Sequence, residues 1–251
     1  MALTSADLLL LLTCGVVAGV VGTAGGITSM VSYPALLAVG IPPFAANVAN
    51  LVGVFTCWPA SAAVSGPELA GQGWWLRRGL PVAAIGGAAG TALLLTTPSA
   101  LFDRLVPVLV AIGSLTLLAQ PWLTSRIGRH ADAHWASALI VIMLLSVYGG
   151  YFGAGSGVML LATALLLIDS RMPVANAVKN MLVGAAALTS AAILAVTGPV
   201  DWLAVVPLAC GLFVGSLFGP ALARRLPERV IRWTVAILGL GLAIKLGFDA
   251  A

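Results

Sequence analysis

Pro43-Phe-Ala-Ala-Asn-Val-Ala-Asn50 returns 130 positions later as Pro173-Val-Ala-Asn-Ala-Val-Lys-Asn180. The shift lays Pro43 on Pro173, Ala45 on Ala175, Val48 on Val178 and Asn50 on Asn180. Upstream, the run Gly22-Thr-Ala-Gly-Gly26 is echoed by Gly153-Ala-Gly-Ser-Gly157. Downstream, Gly66-Pro67 is echoed by Gly198-Pro199, and Pro81, Gly86 and Gly90 by Pro207, Gly211 and Gly215 with small gaps. Glycine and alanine are common in membrane helices, so any one match is weak. The shared order of the marks points to two related halves, residues 1–125 and 134–251.

The composition says in which medium these halves sit. Apolar residues make up 61% of the 251-residue chain and charged residues 8%. Soluble globular proteins carry about 45–50% apolar and about 25% charged residues. A water-facing surface cannot be built from this inventory, whereas a lipid-facing one needs no charge. Apolar blocks fill the chain, so one transmembrane domain, 1–251, is expected. The net charge of +4 is no nucleic-acid signature, because the arginines are spread over membrane-edge loops. Met1 to Gly22 lacks a basic leader and runs straight into further apolar sequence, so it reads as a retained first helix. Cys14, Cys57 and Cys210 form no CxxC pair and read as small buried hydrophobes.

The apolar segments fall at roughly 3–23, 26–40, 44–65, 76–97 and 101–123, and again at 134–153, 156–168, 172–196, 201–223 and 229–248. The pieces 26–40 and 156–168 are short for a spanning helix at about 1.5 Å per residue. Each follows a Gly-rich break, so each is either a short crossing or the returning arm of a re-entrant hairpin. With both counted, Arg77, Arg78, Arg126, Arg129, Arg171 and the 224–232 arginines share one side, and both termini lie on the other. Ignoring them splits the arginine clusters. The expected fold is therefore all-α, a polytopic membrane protein of two inverted repeats. Each repeat has about five helical segments, including a short helix after a Gly-rich break.

Ionisable residues at depth are rare. The acidic residues sit in or beside connections, whereas Lys179 lies inside the 172–196 segment. A charge at that depth costs about 2.5–3.5 kcal/mol on insertion scales. Either Lys179 faces a cavity where an anion neutralises it, or it snorkels to the membrane edge. The glycine breaks supply a second feature. A short helix that starts inside the membrane presents unpaired N–H groups and the positive end of its dipole, an anion site. Gly25, Gly26, Gly155 and Gly157 allow close approach, and Thr23, Thr28, Ser29 and Ser156 add hydroxyls. Tight helix packing is the other use of such glycines. Asn47, Asn50, Asn176 and Asn180 either line a polar path or tie helices together. Tyr33, Tyr148 and Tyr151 either border the same cavity or anchor at the interface. His130 and His134 have i, i+4 spacing but stand in the central loop with only Asp132 between them, which is too little for a metal site.

Gly19-Val-Val-Gly-Thr-Ala-Gly-Gly26 with Pro34 downstream, Gly149-Gly-Tyr-Phe-Gly-Ala-Gly-Ser-Gly157, and the pairs Pro43/Asn50 and Pro173/Asn180 resemble the sulfite exporter TauE/SafE family over essentially the whole chain. Thr23-Ala24 departs from a GxGG(G/S) pattern in the first half. The resemblance implies export of sulfite, an organosulfonate or a related organic acid, and a multi-pass location in a bacterial inner membrane. The expected function is a secondary transporter for a small anion working by alternating access. The expected partners are that anion and the lipid bilayer, with homo-oligomers left open, and no cofactor is implied. A passive anion channel and a non-transporting assembly subunit are the alternatives. An intramembrane hydrolase built on Ser156 would need a histidine base within reach, and both histidines sit in the loop.

Overall fold

A computed structural model describes residues 3–125 and 135–222, together with residues 237, 241 and 244. Every regular element among the described residues is a helix. In the first half these are α1 (Ser5–Gly25), α2 (Thr28–Ala38), α3 (Pro43–Val54), α4 (Cys57–Val64), the single turn α5 (Gly66–Leu69), α6 (Gly73–Thr96) and α7 (Ser99–Ser125). The second half contributes α8 (Trp135–Tyr151), α9 (Ser156–Leu167), α10 (Met172–Thr197) and α11 (Trp202–Leu222). The expected segment 229–248 lies outside the described residues apart from three isolated helical positions. Among the described residues, six stretches are long and apolar enough to cross a membrane, with Pro43–Val64 counted as one of them.

Local chemistry sets several boundaries. Thr4 caps α1: its hydroxyl accepts from the Asp7 N–H at 3.3 Å, and its own N–H donates to the Asp7 carboxylate at 2.8 Å, a capping box. The segment expected as one helix over 44–65 is two, α3 and α4, joined through Phe55 and Thr56. Pro59 is the physical reason. Its ring excludes the carbonyl of the residue four before it and offers no N–H, so the ladder fails at Phe55. The matching α10 has no proline past Pro173 and runs unbroken.

Close packing at glycines fixes the direction of each helix. Gly15 faces Leu208 and Gly211 while Gly19 faces Leu212 and Gly215, so α1 and α11 run parallel. Gly86 faces Met143 and Ser146 while Gly90 faces Val147 and Tyr151, so α6 and α8 are parallel too. Side chains at these sites would push the backbones apart: a methyl at Gly15 would stand 2.6 Å from the Leu208 carbonyl oxygen. The two interfaces are copies of each other. Gly211 and Gly215 meet the carbonyls of Leu12 and Val16, and Gly86 and Gly90 meet those of Met143 and Val147. The first helix of each half thus packs on the long helix that follows the third span of the other half.

These directions settle how the short helices run. Gln72, just before α6, donates to Asp169 at 3.1 Å, and Trp74 packs on Trp135 at the start of α8 with ring centroids 6.3 Å apart. Hence α6, α8 and α10 begin at one end of the bundle, with Arg77, Arg78 and Arg171, and α9 returns there. At the other end, Phe44 at the head of α3 packs on Phe102 at the head of α7 (5.5 Å between centroids). The chain re-enters that end between α6 and α7 and again between α10 and α11, where α1 begins beside α11. So α2 also returns to the end from which α1 came. Both short segments are returning arms of hairpins, and the two hairpins enter from opposite ends. Arg77, Arg78 and Arg171 fall on one side, as expected; the arginines at 126–129 and 224–232 lie outside the described residues.

Candidate functional site

The two glycine breaks meet. Gly26 closes α1 in the left-handed conformation, φ 84°, and its N–H donates to the Gly22 carbonyl at 2.6 Å. A side chain at Gly157 would strike this turn, with a β-carbon 2.6 Å from the Gly26 oxygen and 2.8 Å from its α-carbon. The hairpin tips therefore touch backbone to backbone, which no residue with a β-carbon permits.

Beside this contact lies a cavity of about 60 Å³. The first tip contributes Gly22, Thr23, Gly26, Thr28 and Ser29, and the second contributes Gly153, Ser156 and Gly157. Lys179 and Asn180 enter from α10. The rest of the wall is mostly apolar, with Leu51, Val54 and Trp58 on one side and Leu145, Leu160 and Val183 on the other. Cys57, Ser61, Ser146 and Ser190 interrupt it.

Lys179 does not snorkel. The residue is 1% exposed, and its Nζ donates to the Gly22 carbonyl oxygen at 3.0 Å. An ammonium carries three donors, and this bond uses one of them. Among the described residues no carboxylate forms an ion pair with Lys179. A buried cation without a counter-charge is costly.

The asparagines behave differently from one another. Asn180 lines the cavity and also donates to the Thr23 carbonyl at 3.1 Å. Asn176 donates to the same carbonyl at 2.8 Å, Asn47 to the Tyr151 carbonyl at 2.9 Å, and Asn50 accepts from the Ser32 hydroxyl at 2.5 Å. Asn47, Asn50 and Asn176 stand behind the wall and brace the tips, the tying role, rather than facing the cavity. Gly25 and Gly155 also lie off the wall, Gly155 packing on Gly113 of α7. All four hydroxyl residues, Thr23, Thr28, Ser29 and Ser156, line the cavity, although Thr23 donates to the Gly19 carbonyl at 2.6 Å and Ser156 to the Gly153 carbonyl at 2.8 Å. The tyrosines are outside the lining: Tyr33 donates to the Pro43 carbonyl at 3.4 Å, Tyr148 to the Ala154 carbonyl at 2.7 Å, and Tyr151 packs on Phe102.

Several wall residues carry no signal that a sequence reading picks up. Ser146 is 1% exposed and its hydroxyl has no partner, yet a serine within an apolar helix looks like any small residue. Ser61 and Ser190 stand eleven and ten positions beyond the matched Asn50 and Asn180, a recurrence that could have been used. Among the described residues no group of three metal-ligating side chains forms, and His130, Asp132 and His134 lie outside them.

Comparison with known proteins finds relatives among probable membrane transporters. A probable membrane transporter protein of Haemophilus influenzae is 25% identical over 254 residues, covering 97% of this chain and 96% of that one. Probable membrane transporter protein ORF9 of a Sinorhizobium species is 24% identical over 237 residues, covering 93% and 89%. No solved structure matches. Residues 8–246 match the family described as Sulfite exporter TauE/SafE. A helical membrane protein with this span of agreement belongs to the sulfite exporter TauE/SafE family of membrane transporters.

Proposed function

We propose that the protein is a secondary transporter that exports a small anion, sulfite or a related sulfonate or organic acid, across a bacterial inner membrane by alternating access. One observation carries the reading: the buried Lys179 ammonium, with no carboxylate near it among the described residues, borders a cavity where the hairpin tips meet. The tips add the N-terminal ends of α2 and α9, with Thr28, Ser29, Ser156 and Gly157 on the wall. Unpaired N–H groups and the positive dipole ends there favour negative charge.

The cavity is small, about 60 Å³. One cation suits a monoanion. An inside-negative potential drives a monoanion outward with about 2.3 kcal/mol per 100 mV, so efflux needs no coupling ion. The halves are read as inverted repeats, consistent with hairpins entering from opposite ends, and rocking of one against the other exposes the cavity to each side in turn.

The test is efflux of sulfite from proteoliposomes holding the purified protein. Saturable efflux with counterflow, lost in Lys179→Ala, supports the proposal. Flux that neither saturates nor shows counterflow makes it a channel, and no flux with any small anion makes it an assembly subunit.

A further inference from the structure

The two hairpin tips are built to one plan but are held unequally. At the first tip three donors from α10 converge on the last turn of α1. Lys179 donates to the Gly22 carbonyl, and Asn176 and Asn180 both donate to the Thr23 carbonyl. One of these donors is an ammonium, and charge-assisted bonds are roughly twice as strong as neutral ones. The linker to α2 is short, Gly26 and Ile27 alone.

At the second tip the corresponding helix is α3. Asn47 donates to the Tyr151 carbonyl at 2.9 Å, and Thr91 of α6 donates to the Gly150 carbonyl at 3.2 Å. Both donors are neutral. Ala49 stands where the repeat places Lys179 in the other half. Asn50, the counterpart of Asn180, is fully buried, yet its Nδ2 has no partner. It sits next to Leu51, whose side chain is 3.7 Å from the β-carbon position of Gly153. The linker to α9 spans residues 152–155; it packs on Gly113 of α7, but its hydrogen bonds stay within its own hairpin. Tyr148 donates to the Ala154 carbonyl, Ser156 donates to the Gly153 carbonyl, and Gly153 and Gly155 both take positive φ, 85° and 79°.

We propose that the α8–α9 tip is the moving gate of the transport cycle, that the α1–α2 tip is its fixed counterpart, and that Asn50 is a positioning residue whose free amide N–H takes a carbonyl of the second tip in the other state. This rests on the transporter reading for its purpose but not for its first test. A loop tied within itself moves as a unit, and a buried donor without a partner calls for one. The cavity is walled by both tips, so displacing one is enough to open it.

The first experiment is amide hydrogen exchange on the unaltered protein in lipid nanodiscs, without added anion. Residues 152–157 are expected to exchange faster than residues 24–29; equal or slower exchange overturns the asymmetry whether or not the protein carries anions. The second uses a cysteine pair as a reversible lock. The β-carbon position of Gly113 is 3.3 Å from the Ala154 β-carbon, near the roughly 3.5–4.5 Å of a disulfide. Oxidising Gly113→Cys with Ala154→Cys is expected to stop sulfite efflux, and dithiothreitol to restore it. Efflux through the locked second tip overturns the proposal. If reduced and parent proteins alike carry no sulfite, the transporter reading fails and the exchange result alone judges the gate. Asn50→Ala is expected to lower maximal efflux while leaving the half-saturating sulfite concentration unchanged; an unchanged maximum removes Asn50 from the mechanism.

Discussion

Lys179 on α10 donates from Nζ to the carbonyl oxygen of Gly22, 157 residues away, at 3.0 Å. The same carbonyl accepts from the Gly26 N–H at 2.6 Å, so the ammonium is held by the turn that closes α1. This one contact joins a charge in the second half to the glycine break of the first. It also uses one of the three ammonium donors of a side chain that borders the cavity.

Substitution at the tip contact should be costly. Gly157→Ala places a methyl 2.6 Å from the Gly26 carbonyl oxygen, and overpacking of this kind costs about 1–3 kcal/mol. A lowered unfolding temperature in detergent and strongly reduced efflux are expected. An alanine variant as stable and active as the parent would mean the tips are not in contact in the membrane.

The two copied glycine interfaces predict paired behaviour. Gly90 and Gly215 each meet a helix carbonyl, that of Val147 or Val16. Gly90→Ala and Gly215→Ala should therefore destabilise to a similar degree, again by about 1–3 kcal/mol each. Thermal unfolding of the two variants checks this. A large drop in one and none in the other would count against equivalent packing of the halves.

Cys57 offers a chemical probe of the cavity. It is 7% exposed and lies on the cavity wall with Lys179. A small anionic thiol reagent is expected to inhibit efflux, a bound substrate anion to slow the inhibition, and Cys57→Ser to abolish it. Inhibition that persists in Cys57→Ser would place the reactive thiol elsewhere.

A staple outside the membrane closes the base of the second hairpin, where Arg171 and Gln72 both donate to Asp169. The Arg171 guanidinium holds the Asp169 carboxyl below the usual carboxylate range. A depressed folded value stabilises above the unfolded value, about 3.9, and that stabilisation is lost as pH falls through the folded value. Arg171 is 68% exposed, so solvent screening keeps the contribution of the pair small. The stability gap between the parent and Asp169→Asn should be small at pH 7 and close under acid. A gap that widens on acidification would contradict the assignment.

Much of the fold was legible because repeated marks survive in order. The shift that aligns Asn50 with Asn180 also brings the packing glycines Gly86 and Gly90 onto Gly211 and Gly215 once small gaps are allowed, and the glycine breaks mark where each long helix ends. The path of α2 and α9 was not legible: a short apolar helix crosses or returns according to long-range contacts such as Gln72–Asp169 and Phe44–Phe102. The α3–α4 break is written in Pro59, a single proline among apolar neighbours. Within the site, Lys179 was visible through its depth alone. Whether an asparagine lines a cavity or braces a turn depends on which carbonyl stands opposite, so Asn47, Asn50 and Asn176 could not be separated from Asn180 by spacing. Ser146 was silent because its interest lies in a missing partner.

The central claim is that Lys179 and the meeting tips bind a small anion. Thermal unfolding of purified protein against sulfite tests it most directly, since a ligand at 100 times its Kd stabilises by about 2.7 kcal/mol. The unfolding temperature of the parent is expected to rise with sulfite concentration, with no rise in a folded Lys179→Gln variant. An equal rise in both proteins would contradict it.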